Sequence, residues 1–214
     1  MIIQANITKL DLINKVIYCG INWIGLNFCK ENPNYLPLHN SIAGIIPDYS
    51  SITEAENGKN SNSLNIYKKA QLVGIFKDDM PQTIISNIVI FNLNIIELLG
   101  KESKVMIENL RSSVIPDIVK KIKIVKQINI SKIEDFEQCH EYNSVVDYFL
   151  FNISENIQPI NELIKQYKLN IPFILSIKNE KLLDKKIVHH MLCGFNYNYN
   201  INKSLVNKNM SNYL

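Results

Sequence analysis

Eight short, almost continuously apolar runs punctuate the chain, at residues 2–7, 23–28, 72–76, 95–98, 122–128, 148–151, 173–177 and 191–195. Runs of this length without polar alternation are the pattern of parallel strands covered on both faces. The segments between them carry helical spacing instead. Leu10, Ile13, Val16 and Ile17 recur on one face, with Thr8 placed to cap the start. Residues 103–114 and 157–169 read the same way, and Ser131-Lys132-Ile133-Glu134 has the spacing of a capping box. Strand then helix, repeated about eight times over roughly two hundred residues, predicts an α/β fold, a single (β/α)8 TIM barrel. An open doubly wound sheet is the alternative that periodicity leaves. It needs fewer strands and a Gly-rich first turn, which is missing here.

The rhythm breaks once, at residues 49–65, where the polar, turn-rich run Asn57-Gly58-Lys59-Asn60-Ser61-Asn62-Ser63 predicts a flexible insertion within one domain spanning 1–214. With 46% hydrophobic and 20% charged residues, a chain of 214 residues can bury one core without disulfides or metals. The four cysteines, Cys19, Cys29, Cys139 and Cys193, form no CxxC pair, which predicts buried thiols in a reducing compartment. Net charge is +3, and the densest basic stretch, 120–126, alternates with apolar residues, so no nucleic-acid partner is expected. Asp11 interrupts the first apolar region, and no apolar run approaches the ~18–20 residues of a membrane span. The expectation is a cytoplasmic protein with no membrane partner and no cofactor. The abundance of Asn makes chance matches such as Asn129-Ile130-Ser131 uninformative as modification signals.

Several of the apolar runs carry a more specific signal. Residues 22–28, Asn-Trp-Ile-Gly-Leu-Asn-Phe, are followed by Glu31-Asn32-Pro33-Asn34-Tyr35. Further on come Leu72-Val73-Gly74-Ile75-Phe76, then Ile96-Glu97-Leu98-Leu99-Gly100 with Glu102-Ser103, then Lys123-Ile124-Val125-Lys126, Asp147-Tyr148-Phe149-Leu150-Phe151 and Pro172-Phe173-Ile174-Leu175-Ser176. In this order they resemble successive strands of the phosphoribosylanthranilate isomerase family, whose second, third and fourth strands read Ile-Gly-Phe-x-Phe, Val-Gly-Val-Phe and Val-Gln-Leu-His-Gly. The resemblance runs from near the start to about residue 200. It implies the barrel, and an Amadori rearrangement in which a base removes a proton from the carbon beside the opening ring while an acid protonates the ring oxygen.

The positions that would carry this chemistry hold other residues. The family base is a Cys in Val-Cys-Gly-Ile/Met-Thr, and the resemblance matches it to Ala5 in Ile3-Gln4-Ala5-Asn6-Ile7-Thr8. The family acid is an Asp in Leu-Phe-Asp-Thr/Ser, matched by Asn152, whose carboxamide has no proton to give at neutral pH. The Arg expected to clamp a substrate carboxylate is matched by Asn34. The Ser-Gly-Gly phosphate loop becomes Ser176-Ile177-Lys178, where Lys178 offers a point charge in place of close backbone approach. After the eighth strand Asn196 and Asn198 stand in the family's Gly-x-Asp-x-Asn-Ser. Cys19-Gly20-Ile21 repeats the letters of the base motif but follows the first helix, which is the wrong place for it.

Any retained function belongs at the C-terminal mouth of the barrel. Candidates there are Glu97, Lys126, Ser176, Lys178, Asn196 and Asn198, with Glu97 and Lys126 expected to face each other as a buried ion pair or, less readily, as a repurposed acid/base pair. Asp78-Asp79 before Pro81 reads as a helix N-terminal feature. In His189-His190 adjacent side chains should point apart, so no metal site is expected. Three readings stand: an inactive barrel kept to bind a small phosphorylated ligand or a protein partner, an active isomerase with displaced groups, and a structural remnant with a plugged mouth.

Overall fold

The computed structural model describes residues 1–7, 17, 20–36, 70–115, 118, 121–154, 159–177 and 187–197. The expected Thr8 cap, the first helix apart from Ile17, Cys19, the 49–65 insertion, Lys178 and Asn198 lie outside these residues.

Eight parallel strands close into a barrel in chain order, so the barrel expectation holds and the open sheet does not. They are β1 (Ile2–Ile7), β2 (Trp23–Asn27), β3 (Gln71–Phe76), β4 (Ile95–Leu98), β5 (Lys123–Ile130), β6 (Tyr148–Ile153), β7 (Phe173–Ile177) and β8 (Leu192–Tyr197). Between them lie α1 (Pro81–Phe91), α2 (Lys104–Val114), a 3-10 turn (Ile133–Glu137) running into α3 (Gln138–Tyr142), and α4 (Ile160–Ile164). Pro81 fits the first turn of α1, where an N–H would have no partner, and Asn92 ends that helix in the left-handed region. Ser103 caps α2, its hydroxyl accepting from the Met106 N–H at 3.2 Å.

Side chains alternate between two cores. Outward residues such as Ile3, Ile24, Phe76, Leu98, Ile124, Phe151 and Phe173 meet the helices, including Ile84 and Ile88 of α1 and Ile107 and Leu110 of α2. Inward residues Trp23, Val73, Ile75, Ile95, Val125, Leu150 and Ile174 fill the barrel. At its foot the Lys123 ammonium lies 5.5 Å from the Tyr148 ring centre and 6.0 Å from that of Trp23, and the two rings meet edge to face.

The same foot carries a repeated clip. The residue directly before β2, β4 and β6 is Asn22, Asn94 and Asp147, and each side chain accepts from a backbone N–H of the preceding strand: Ile3, Leu72 and Ile124, at 2.8, 2.9 and 2.8 Å. These clips meet ladder N–H groups that lie below the start of the next strand. Asp147 also takes Arg111 of α2 at 2.8 Å, and the same guanidinium donates to the Val145 carbonyl, bolting the helix to the sheet.

The expected capping box at Ser131–Glu134 is not formed. Asp135 is the residue that reaches back, accepting from the N–H groups of Ser131 and Lys132 at 2.7 and 3.0 Å, while the Ser131 hydroxyl pairs with that of Ser154. Neither Asp78 nor Asp79 serves the start of α1, whose N-cap is Met80 without a side-chain bond.

The clip at β6 sets a test. Asp147→Ala leaves the Ile124 N–H and the Arg111 guanidinium without their acceptor, and is expected to cost about 2 kcal/mol. Urea denaturation of the variant beside Asn22→Ala measures it, and the Asp147 change should cost more because it severs two elements.

Candidate functional site: the inner face of the barrel mouth

Strand parity decides what reaches the mouth. From β1 the inward side chains are Gln4 and Asn6, because Ile3, Ala5 and Ile7 belong to the outer core. From β6 Asn152 points inward, between the outward Phe151 and Ile153. On β7 and β8 the register pairs Ser176 with Asn196, and Asn196 with Gln4. Asn27 ends β2, and Glu97 sits on β4 between Ile75 and Val125 of the flanking strands. Gly25 makes room for Asn6: a Cβ there would lie 2.0 Å from the Asn6 Oδ1. The result is an inner face rich in carboxamides. Gln4, Asn6, Asn27, Glu97, Ser176 and Asn196 are all buried, whereas Gln127 and Asn152 are half-buried and Asn129 is exposed, so the β5–β6 side is the open one.

Glu97 is the carboxyl of this face. It is 2% exposed, and the Gln4 Nε2 donates to its Oε2 at 2.6 Å. Burial pushes its pKa up to about 7, with the Gln4 hydrogen bond pulling the other way. Gln4 also reaches Asn6 at 3.4 Å, and Asn152 donates to the Asn129 Oδ1 at 2.7 Å. Three carbonyl oxygens of these amides, Gln4 Oε1, Asn152 Oδ1 and Asn196 Oδ1, are buried with no donor. The Cys29 thiol at the end of β2 is held up to about 12 by burial and then by the Asp79 carboxylate, which makes it a poor nucleophile.

The expected Glu97–Lys126 pair does not exist. Val125 points in, so Lys126 on the same strand points out, into the layer between barrel and helices. There its ammonium meets the Glu102 carboxylate at 2.7 Å and the Gly100 carbonyl at 2.5 Å, and it lies 5.5 Å from the Tyr142 ring centre. The other Glu102 oxygen accepts from the N–H groups of Asp78 and Gly100 at 3.0 and 3.1 Å. Asp78, at φ +54°, turns its own carboxylate onto the Lys101 N–H. A Cβ on Gly100 would lie 2.3 Å from that carboxylate. This buried knot pins the loops after β3 and β4. Glu102 carries it, and a Glu just before the Ser103 cap was the signal available in the sequence.

No family model matches the chain. Two curated proteins do, both N-(5′-phosphoribosyl)anthranilate isomerases. That of Clostridium beijerinckii is 36% identical over 92 residues, covering 42% of this chain and 38% of the relative. That of Microcystis aeruginosa is 27% identical over 150 residues, covering 69% and 59%. The matches thus span less than two thirds of either relative. Solved isomerase structures share the whole fold: a monomeric form of the Thermotoga maritima enzyme superposes with a TM-score of 0.63 at 14% identity, covering 96% of this chain and 91% of that one. In sequence the chain is thus similar to two phosphoribosylanthranilate isomerases over part of their length, and in fold to solved members of that family. The orotidine 5′-monophosphate decarboxylase of Methanocaldococcus jannaschii also superposes, with a TM-score of 0.52 at 12% identity over 91% of this chain and 86% of that one, so the fold alone does not select a reaction.

Against the isomerase motifs, parity corrects one position. Ala5, matched by its neighbours to the family base, is wholly buried in the outer core and faces the helices, not the mouth. The inward residue at the end of β1 is Asn6. Asn152, matched to the acid, does face the mouth. Asn34 lies in the turn after β2, where its N–H donates to the Asn32 Oδ1 at 2.9 Å. The two histidines stack at 4.5 Å and do not point apart, because the His189 Nδ1 accepts from the Met191 N–H and closes a turn. Among the described residues no cluster of metal-ligating side chains forms, and no helix is long and apolar enough to cross a membrane. A cavity of about 470 Å³ lies outside the inner face, between the turn after β5 (Ser131, Ile133, Glu134) and α4 (Glu162, Leu163).

Two consequences are measurable. Lys126→Met leaves the buried Glu102 carboxylate without its cation and is expected to cost on the order of 3–5 kcal/mol, most of it recovered in Lys126→Met/Glu102→Gln. Denaturant midpoints of the single and double variants decide it. The second concerns pH. Glu97 keeps its proton to about pH 7 in the fold but loses it near the ordinary 4.5 when unfolded. The fold binds that proton more tightly, so the stability it brings is complete below about pH 4.5, shrinks between 4.5 and 7, and stays lost above. The full swing is roughly 3 kcal/mol. Glu97→Gln should flatten this slope and be the more stable protein at about pH 8, read from urea midpoints across that window.

Proposed function

We propose that this chain is a phosphoribosylanthranilate isomerase-like barrel that does not run the family's Amadori rearrangement in tryptophan biosynthesis and is kept as a binding protein. One observation carries the reading: the inward groups at the ends of β1 and β6 are the carboxamides of Asn6 and Asn152, and neither takes or gives a proton near neutrality. Losing base and acid together removes two contributions, each of about 10²–10⁴-fold in rate. The amide-lined inner face favours a small ligand over a protein partner, since polar groups converging inside a barrel suit an enclosed molecule. A cytoplasmic location goes with this reading.

A second reading, an active isomerase with displaced groups, has Glu97 in its favour. A carboxyl pushed up to about 7 is poised for proton transfer at neutral pH.

Purified protein offered phosphoribosylanthranilate, with fluorescence following its consumption, separates the two. The expected result is no turnover above background. Any turnover restored should come from Asn6→Cys/Asn152→Asp and not from Ala5→Cys/Asn152→Asp, whose thiol would face the helices. Turnover by the unaltered chain that disappears in Glu97→Gln would replace the first reading with the second.

A further inference from the structure

We propose that the inner face of the barrel is a site for an amino-polyol, a small molecule bearing a protonated amine and several hydroxyls. This rests on the reading of the barrel as a binding protein and names the ligand class.

The argument is one of complementary chemistry. Gln4 and Asn196 are 0% and 1% exposed and are lateral neighbours in the β1–β8 register. Each turns a carbonyl oxygen into the barrel with no donor to meet it, and Asn152 does the same from β6. Buried amide oxygens left in this state cost about 1–3 kcal/mol each, so a partner that brings donors gains that much by supplying them. The other end of the Gln4 amide is already spent on Glu97. Three acceptors and one carboxyl therefore share a single face.

Among the described residues the nearby cations are committed elsewhere. Lys126 is on the other side of the sheet with Glu102, and Lys123 is held at the barrel foot by Trp23 and Tyr148. An ammonium would compensate Glu97, and hydroxyls would donate to the three amide oxygens while accepting from amide N–H groups in turn. A phosphate ester fits poorly: at neutral pH its oxygens are chiefly acceptors, and here they would face more acceptors and a carboxylate. Entry is from the β5–β6 side, where Asn129 is exposed and Asn152 half-buried.

Glu97 also supplies a signature. The groups around it are Gln4 from β1, Ile75 from β3, Val125 from β5 and the Cys29 thiol from the end of β2, with Lys77 and Asp79 farther out at the rim. Cys29 stays protonated at neutral pH, so Glu97 is the group here that changes charge near pH 7. A cation bound beside it drives its proton off.

Isothermal titration calorimetry of the full chain at about pH 6, in two buffers of different ionisation enthalpy, tests this with 1-amino-1-deoxysorbitol, sorbitol and ribose 5-phosphate as probes. The amino-polyol should bind about tenfold or more tighter than sorbitol, with proton release, and ribose 5-phosphate weakest of the three. Glu97→Gln, which keeps shape and hydrogen bonding, should abolish both the preference and the proton release. Asn196→Ala should weaken both polyols alike. Both variants are checked for the parent's circular dichroism. Equal binding of amine and polyol, strongest binding of the phosphate, no binding by any probe, or an amine preference that survives Glu97→Gln each overturns the proposal. The binding-protein reading fails by a different result, turnover of phosphoribosylanthranilate, so the two failures are distinguishable.

Discussion

A closed parallel barrel leaves no strand position uncommitted. Every side chain faces either the interior or the helices, and most of these positions are out of water, so a buried polar residue on a strand must find partners on whichever side parity assigns it. The chemistry of this chain follows from that constraint. Glu97 and Lys126 sit on adjacent strands near the same end of the barrel, yet the wall of the sheet separates them. One meets an amide inside, the other a carboxylate outside.

Charge and amide are sorted accordingly. In the outer layer the Lys126–Glu102 pair is charge-compensated and hydrogen-bonded on both sides, with the backbone N–H groups of Asp78 and Gly100 and the Gly100 carbonyl taking part. A buried pair is tolerable only when its remaining hydrogen-bonding capacity is met in this way. It organises the loops after β3 and β4, which form one side of the mouth. In the inner layer a carboxyl without a cation is neutralised by holding its proton, and the amides around it keep the face polar at low charge. The foot is fixed independently by Asn22, Asn94 and Asp147. The mouth can therefore vary in chemistry without loosening closure at the other end.

The strands were legible because burial on both faces makes them near-continuous apolar runs, and all eight fall where those runs lie. The same property hid the parity. When inside and outside are both apolar, no alternation marks which residues turn inward, so Ala5 passed for a mouth residue although Asn6 is the one that faces in. The Glu97–Lys126 pairing failed for the same reason. The foot clips were legible in principle, as a lone Asn or Asp directly before a strand. Their role depends on the neighbouring strand's unpaired N–H, which sequence does not display. At Ser131 a four-residue signature competed with Asp135 one residue later, and the carboxylate closer in space to two free N–H groups prevailed.

Fold and chemistry therefore separate in this protein along the axis of the barrel. Side chains that close the sheet and pack the helices account for its likeness to the isomerases, and they would serve any occupant of the mouth equally well, as the likeness to a decarboxylase of the same fold illustrates. What distinguishes this chain is the identity of a few inward residues at the strand ends. The inward ends of β1 and β6 carry the carboxamides of Asn6 and Asn152, which neither take nor give a proton near neutrality, while Gln4, Glu97 and Asn196 leave the face rich in acceptors. The proposed amino-polyol takes its class from this inventory, because unmet acceptors call for donors and a buried carboxyl for a cation.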